Sequence, residues 1–235
     1  SLFSKSDAMS FKWRESFVQT YVERDLPLLG LQLDPIEARR ILKILSNLNG
    51  QLLNYAFIAK SLGLTAPTIK RYVRFLEQAF IIDVLEPYSG NITKRLTKAP
   101  KVYIKDCGIA NYMLGIQNFN DLLGHPKVGD LWEGFVLQQI KAILPSNIDL
   151  CFYRSHNGAE IDFILSFPNN KKIGIEVKFS SVPKLTRGTY EVMSDLNLSH
   201  VFVVAPNTDN FMINKDIEVV NCRDLCNTLI EKYFN

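Results

Sequence analysis

Gly158-Ala159-Glu160-Ile161-Asp162-Phe163-Ile164-Leu165 and Ile173-Gly174-Ile175-Glu176-Val177-Lys178-Phe179 are the stretches that decide the fold. Polar and apolar residues alternate in both, among β-branched and aromatic neighbours, so both predict strands. Pro168-Asn169-Asn170-Lys171-Lys172 between them is turn chemistry and predicts a hairpin. Side chains alternate faces along a strand. Glu176 and Lys178 then share one face of the second strand, and Glu160 and Asp162 share a face of the first. Mg²⁺ accepts carboxylate oxygens and keeps several waters, which makes Asp162 and Glu176 the candidate ligands for Mg²⁺ or Mn²⁺. Lys178 is placed to orient a water or offset phosphate charge. The plainer alternative is a charged, solvated sheet face whose ion pairs are worth little. Glu160 equally suits an ion pair with Lys178 or Arg154.

This arrangement resembles the PD-(D/E)XK nuclease superfamily, in which an acidic residue ends one strand and an acid-x-Lys triplet lies on the next. A Glu on the preceding helix often completes that site. Glu133, within Asp130-Leu131-Trp132-Glu133-Gly134-Phe135-Val136, occupies the corresponding place. The resemblance implies a catalytic set of Glu133, Asp162, Glu176 and Lys178.

The 235 residues suffice for one large or two medium domains, and 47% hydrophobic content supports a sizeable core. No apolar run approaches the ~20 residues that span a bilayer. Ser1-Leu2-Phe3-Ser4-Lys5 lacks the pattern of a signal peptide. The four cysteines are scattered; Cys222 and Cys226 have no matching His or Cys pair for zinc. A reduced, cytoplasmic protein is expected. His156 beside Asn157-Gly158 reads as a turn residue, His125 before Pro126 as solvated, and Trp13 and Trp132 as core.

Charge divides the chain. Residues 38–105 carry twelve Lys/Arg against three Asp/Glu, while the remainder is net acidic. A basic module suits phosphate contacts, or a solvated face, or docking on the acidic part. Within it, Ala38–Leu48 has helical spacing. Asn54 predicts a cap for a helix over Tyr55–Leu62, and Gly63 its end. Thr65 opens a third helix with Pro67 in its first turn and Ile69, Tyr72, Val73, Leu76 and Phe80 on the buried side. This text resembles a helix-turn-helix. Ile81–Leu85 and Val102–Ile104 read as strands of a winged helix whose wing tip carries Lys94, Arg95, Lys98 and Lys101. The candidate nucleic-acid contacts are Thr68, Lys70, Arg71, Arg74, Lys94, Arg95 and Lys98.

The order of parts extends the resemblance over roughly residues 10–205. The amphipathic segment 11–26, the winged helix, Lys101-Val102-Tyr103-Ile104-Lys105-Asp106, the Glu133 helix and the acidic strands follow one another as in the C-terminal half of a large prokaryotic family of AAA+-type ATPases. No Gly-x-x-x-x-Gly-Lys-Ser/Thr loop is present. ATP is thus expected only in a separate N-terminal ATPase core, and no ATPase activity from these residues. The expected architecture is α/β (mixed α+β). Residues 1–33 form a helical link to that core, ordered by self-association into a homo-oligomer. Residues 34–112 form the winged helix, and 113–235 a restriction-endonuclease-like mixed sheet flanked by helices. The function expected is a Mg²⁺-dependent DNA endonuclease. The alternatives are a non-catalytic regulatory scaffold and a DNA-binding winged-helix protein, none of them membrane-embedded.

Overall fold

The structure, a computed structural model, describes residues 6–30, 33–90 and 95–234. They form two compact units, residues 1–84 with 101–134 and residues 85–100 with 135–235.

In the first unit, helix α1 (Asp7–Thr20) starts at Ser6, whose Oγ accepts the Met9 N–H. It runs through a wider π-type turn, Tyr21–Asp25, into α2 (Leu26–Leu28). Val18, Val22 and Leu26 recur every fourth residue and are all buried in the unit's core. The wider turn keeps that four-residue repeat on one side. That stripe packs within its own unit, while Met9, Trp13, Leu28 and Leu29 of the same segment stay exposed. Residues 1–5, 31 and 32 of the expected link lie outside the described residues.

Helix α3 (Pro35–Asn47) is capped by Asp34, which accepts from the Ile36 and Glu37 amides. After the short strand β1 (Gln51–Leu52), Asn54 caps α4 (Tyr55–Leu62), and Gly63 ends it at φ +68°. Thr65 caps α5 (Ala66–Gln78). Strands β2 (Ile82–Leu85) and β3 (Lys101–Ile104) complete a sheet of order β1-β3-β2, the winged-helix order of three helices and three strands. Ile69, Tyr72, Val73 and Leu76 are buried as expected, but Phe80 is not. The helix has already ended, and Phe80 sits at φ +61° with its side chain exposed. The Ile81 amide bonds back to the Leu76 carbonyl and that of Phe80 to Glu77. This closes the helix with a left-handed residue in the place glycine usually takes, and the reversal delivers Ile81, not Phe80, to the core. Helices α6 (Cys107–Leu114), α7 (Phe119–Leu123) and α8 (Val128–Ile143) follow, and the boundary between the units falls inside α8, after Gly134.

The second unit is built on a six-stranded mixed sheet. Its strands are β4 (Asp149–Arg154), β5 (Glu160–Ser166), β6 (Lys172–Val177), β7 (His200–Val204), β8 (Phe211–Asn214) and β9 (Ile217–Val220), in the order β4-β5-β6-β7-β9-β8. β4, β5 and β6 pair antiparallel, β6, β7 and β9 parallel, and β8 returns antiparallel to β9. α9 (Arg187–Leu196) crosses over β5 and β6, and α10 (Cys222–Leu229) packs on β7. β9 is interior, because β8 covers it. Gly174 sits where packing is close: a Cβ there would lie 2.9 Å from Cδ1 of both Ile161 and Leu198, so those side chains would have to shift.

The expected wing is a further correction. Between β2 and β3 the chain joins the second unit and extends its sheet beyond β4. Pro87 bridges Phe152 and Leu96 bridges Ser155. The Tyr88 amide donates to the Phe152 carbonyl, Thr97 to Arg154, and His156 to the Arg95 carbonyl. Tyr88 and Leu96 pack on that unit's core. The backbone at Arg95 and Lys98 thus flanks a sheet strand instead of forming a free tip. Lys101, expected at the tip, is inside β3 and only 2% exposed. Lys94 lies outside the described residues.

Candidate functional site

The second unit brings Asp162, Glu176 and Lys178 together. β5 and β6 pair in the register Phe163↔Ile175, and Asp162 and Glu176 are the next residues along. There the Asp162 carboxylate takes over from the ladder, accepting the Val177 N–H at 2.8 Å. The Lys178 amide bonds to the Val204 carbonyl of the neighbouring parallel strand. Asp162 and Glu176 are 8% and 5% exposed, the remaining face of both strands being apolar core. Lys178 Nζ lies 2.6 Å from Glu176 Oε1, the contact expected of residues two apart on one strand face. Glu176 Oε2 is buried without a hydrogen-bond partner among the described residues, which is costly for a carboxylate unless something completes it. Burial, and then the charge of Asp162, push the Glu176 carboxyl up to about 8, with Lys178 opposing. Glu160 pairs with Arg154 across the strands at 3.4 Å.

Among the described residues no group of three or more His, Cys, Asp or Glu side chains is gathered to hold a metal ion. Two carboxylates with water and phosphate filling the other positions is how Mg²⁺ is commonly held, and the orphaned Glu176 oxygen fits a ligand role. Cys222 and Cys226 lie one turn apart on α10 with no such cluster.

Glu133 belongs to the first unit, where its Oε1 accepts from Lys101 Nζ at 3.0 Å and Tyr103 Oη at 2.6 Å. Nearby, Asn49 donates to the Asp130 carbonyl and accepts the Ile104 amide. Lys101 and Tyr103 lie two apart on β3 and so share one of its faces; that spacing is the signal that could have identified them as partners of Glu133.

The α5 candidates separate by exposure. Thr68 Oγ1 is 2.8 Å from the Thr65 hydroxyl and helps close the cap. Lys70, Arg71 and Arg74 are exposed. No carboxylate of the described residues lies within ion-pair distance of them, and Arg71 rests over the Tyr72 ring at 5.2 Å. His125 Nδ1 accepts the Lys127 amide, and His156 sits in a turn. No helix of the described residues is long and apolar enough to cross a membrane.

Comparison with known proteins gives the following. The chain is 33% identical over 228 residues to the uncharacterized proteins Rv2008c of Mycobacterium tuberculosis and Mb2031c of Mycobacterium bovis. The match covers 97% of this chain and 51% of each relative, so the chain spans about half the length of the curated relatives it matches. Among solved structures, the transcription regulator MepR of Staphylococcus aureus aligns over 57% of this chain and 96% of its own at 15% identity and a TM-score of 0.27. The McrB–McrC assembly of Thermococcus gammatolerans aligns over 82% of this chain and 64% of its own at 9% identity and a TM-score of 0.31. Scores this low establish no shared fold. The family model "Domain of unknown function (DUF4143)" matches residues 128–225. The model "Domain of unknown function (DUF8612)" matches residues 2–120, just over half of the sequence. On that match, the chain belongs to the family of the domain of unknown function DUF8612.

Proposed function

We propose that the second unit holds a divalent cation, Mg²⁺ or Mn²⁺, on Asp162 and Glu176 and acts there on DNA phosphodiesters. The observation that carries this reading is the orphaned, buried Oε2 of Glu176 beside a second carboxylate. A cation bound there would supply Lewis-acid stabilisation of phosphate charge. Asp162 is held in place by the Val177 amide, which fixes the direction of its carboxylate. Lys178, a third exposed, can leave Glu176 to orient a water or meet a phosphate oxygen. Glu133 serves as a positioning residue of the first unit through Lys101 and Tyr103.

The test is calorimetric titration of Mn²⁺ into wild type and Glu176→Ala, with and without a short DNA duplex. Binding to wild type that vanishes in the variant is expected. Equal binding by both proteins sinks the metal assignment. Cleavage, where a substrate is found, is expected to be lost in Asp162→Ala, and activity surviving that change refutes the catalytic assignment.

A second reading rests on a different observation. Lys70, Arg71 and Arg74, exposed on α5 with no carboxylate of the described residues within ion-pair distance, suit DNA binding by the winged helix without chemistry. On either reading, the rest of a longer parent protein carries an ATPase core, and ATP binds there. That part of the proposal rests on the order of motifs in the sequence.

A further inference from the structure

The open margin of the six-stranded sheet is unusual. β8 is its last strand, so one side of its backbone faces away from β9. Phe211, Met212 and Ile213 are 47%, 51% and 38% exposed, and every residue of the strand is exposed. Natural edge strands are commonly blunted by charge, proline or a bulge. β8 has no charge or proline within it, only a register shift between Met212 and Asn214. Its charges stand just outside, Asp209 before it and Lys215 after it, with the Lys215 side chain 89% exposed.

That arrangement is self-complementary. We infer that β8 pairs antiparallel with β8 of a second copy of this chain, about a two-fold axis at Met212. Centred there, Phe211 faces the partner's Ile213, Asn210 faces the partner's Asn214, and Asp209 faces the partner's Lys215. The symmetry repeats each contact, so two opposite-charge pairs flank an apolar centre. A two-fold interface uses one patch on both subunits and must match itself in this way. The shift at Ile213 bends the strand just beyond the axis, which limits the pairing to this short segment rather than permitting open-ended growth.

The test is sedimentation of the full chain over a range of concentrations, for wild type, Asp209→Lys, Lys215→Asp and the double exchange. Wild type is expected to show a monomer–dimer equilibrium. Each single reversal turns two attractive pairs repulsive and is expected to weaken the dimer about tenfold, with the double exchange restoring it. Both positions changed are at the surface, and unaltered circular dichroism verifies folding. Two results overturn the inference. One is a wild type that stays monomeric, which would leave this edge to a strand of another protein. The other is a dimer indifferent to both reversals, which would place the contact elsewhere, as on the exposed Met9 and Trp13 side of α1.

Discussion

Replacing Lys101 by Met is the sharpest test of how the first unit is held. Lys101 Nζ is 3.0 Å from Glu133 Oε1, with the lysine side chain 2% and the glutamate 14% exposed. Met matches the aliphatic stem of Lys and removes only the charge. Glu133 is then left inside the unit with Tyr103 as a remaining donor. Breaking a buried pair from one side costs about 3–5 kcal/mol, whereas replacing both partners by apolar groups is often near neutral. The Tyr103 hydrogen bond and the residual exposure of Glu133 place the expected loss for Lys101→Met at about 3 kcal/mol. Lys101→Met with Glu133→Leu should recover most of it. The assay is urea unfolding followed by tryptophan fluorescence. Both tryptophans of the chain, Trp13 and Trp132, belong to the first unit, so the signal reports that unit alone. A loss under about 1 kcal/mol for the single change, or a double variant whose loss equals the sum of the two singles, would refute the reasoning.

Three further outcomes follow from the geometry. Glu176 has a folded-state carboxyl raised to about 8 from an ordinary 4.5, so the stability it permits is complete below pH 4.5 and falls as pH rises towards 8. Integrating that shift gives a loss of roughly 3–5 kcal/mol. Glu176→Gln should therefore be more stable than wild type at pH 8 and similar at pH 4.5 by thermal unfolding, and a pH-independent difference would count against it. Gly174→Val would drive side-chain atoms into Ile161 and Leu198 and should cost about 1–3 kcal/mol in denaturant unfolding; an unaffected midpoint would contradict the packing. Replacing Lys70, Arg71 and Arg74 together by Ala should weaken duplex binding and reduce its logarithmic salt slope by about 3. Fluorescence anisotropy at several salt concentrations measures this, and an unchanged slope would remove α5 from the interface.

Local chemistry carried most of the elements. Asn54, Gly63 and Thr65 bound α4 and start α5 as their capping chemistry dictates, because a cap is decided by a few neighbouring residues. The alternation around Asp162 and Glu176 dictated the hairpin, since a one-residue slip would turn its apolar side chains to solvent. The contact of Glu176 with Lys178 follows from that alternation. Phe80 departs from its expected place because helical spacing continues through it while the chain has already turned. β8 carries its apolar residues exposed on both faces, so no periodicity marked it.

What the sequence by itself determined is therefore the capped helices α4 and α5 and the pairing of Asp162 with the Glu176–Lys178 strand, all written within short stretches of chain. Only the tertiary structure decided that the wing segment joins β4, that Lys101 is buried against Glu133, that β9 is interior and β8 the edge, and that Glu176 keeps an oxygen without a partner. Each of these depends on which distant segment comes to lie alongside, and a charge such as Lys101 reads the same in sequence whether it ends in water or in a core.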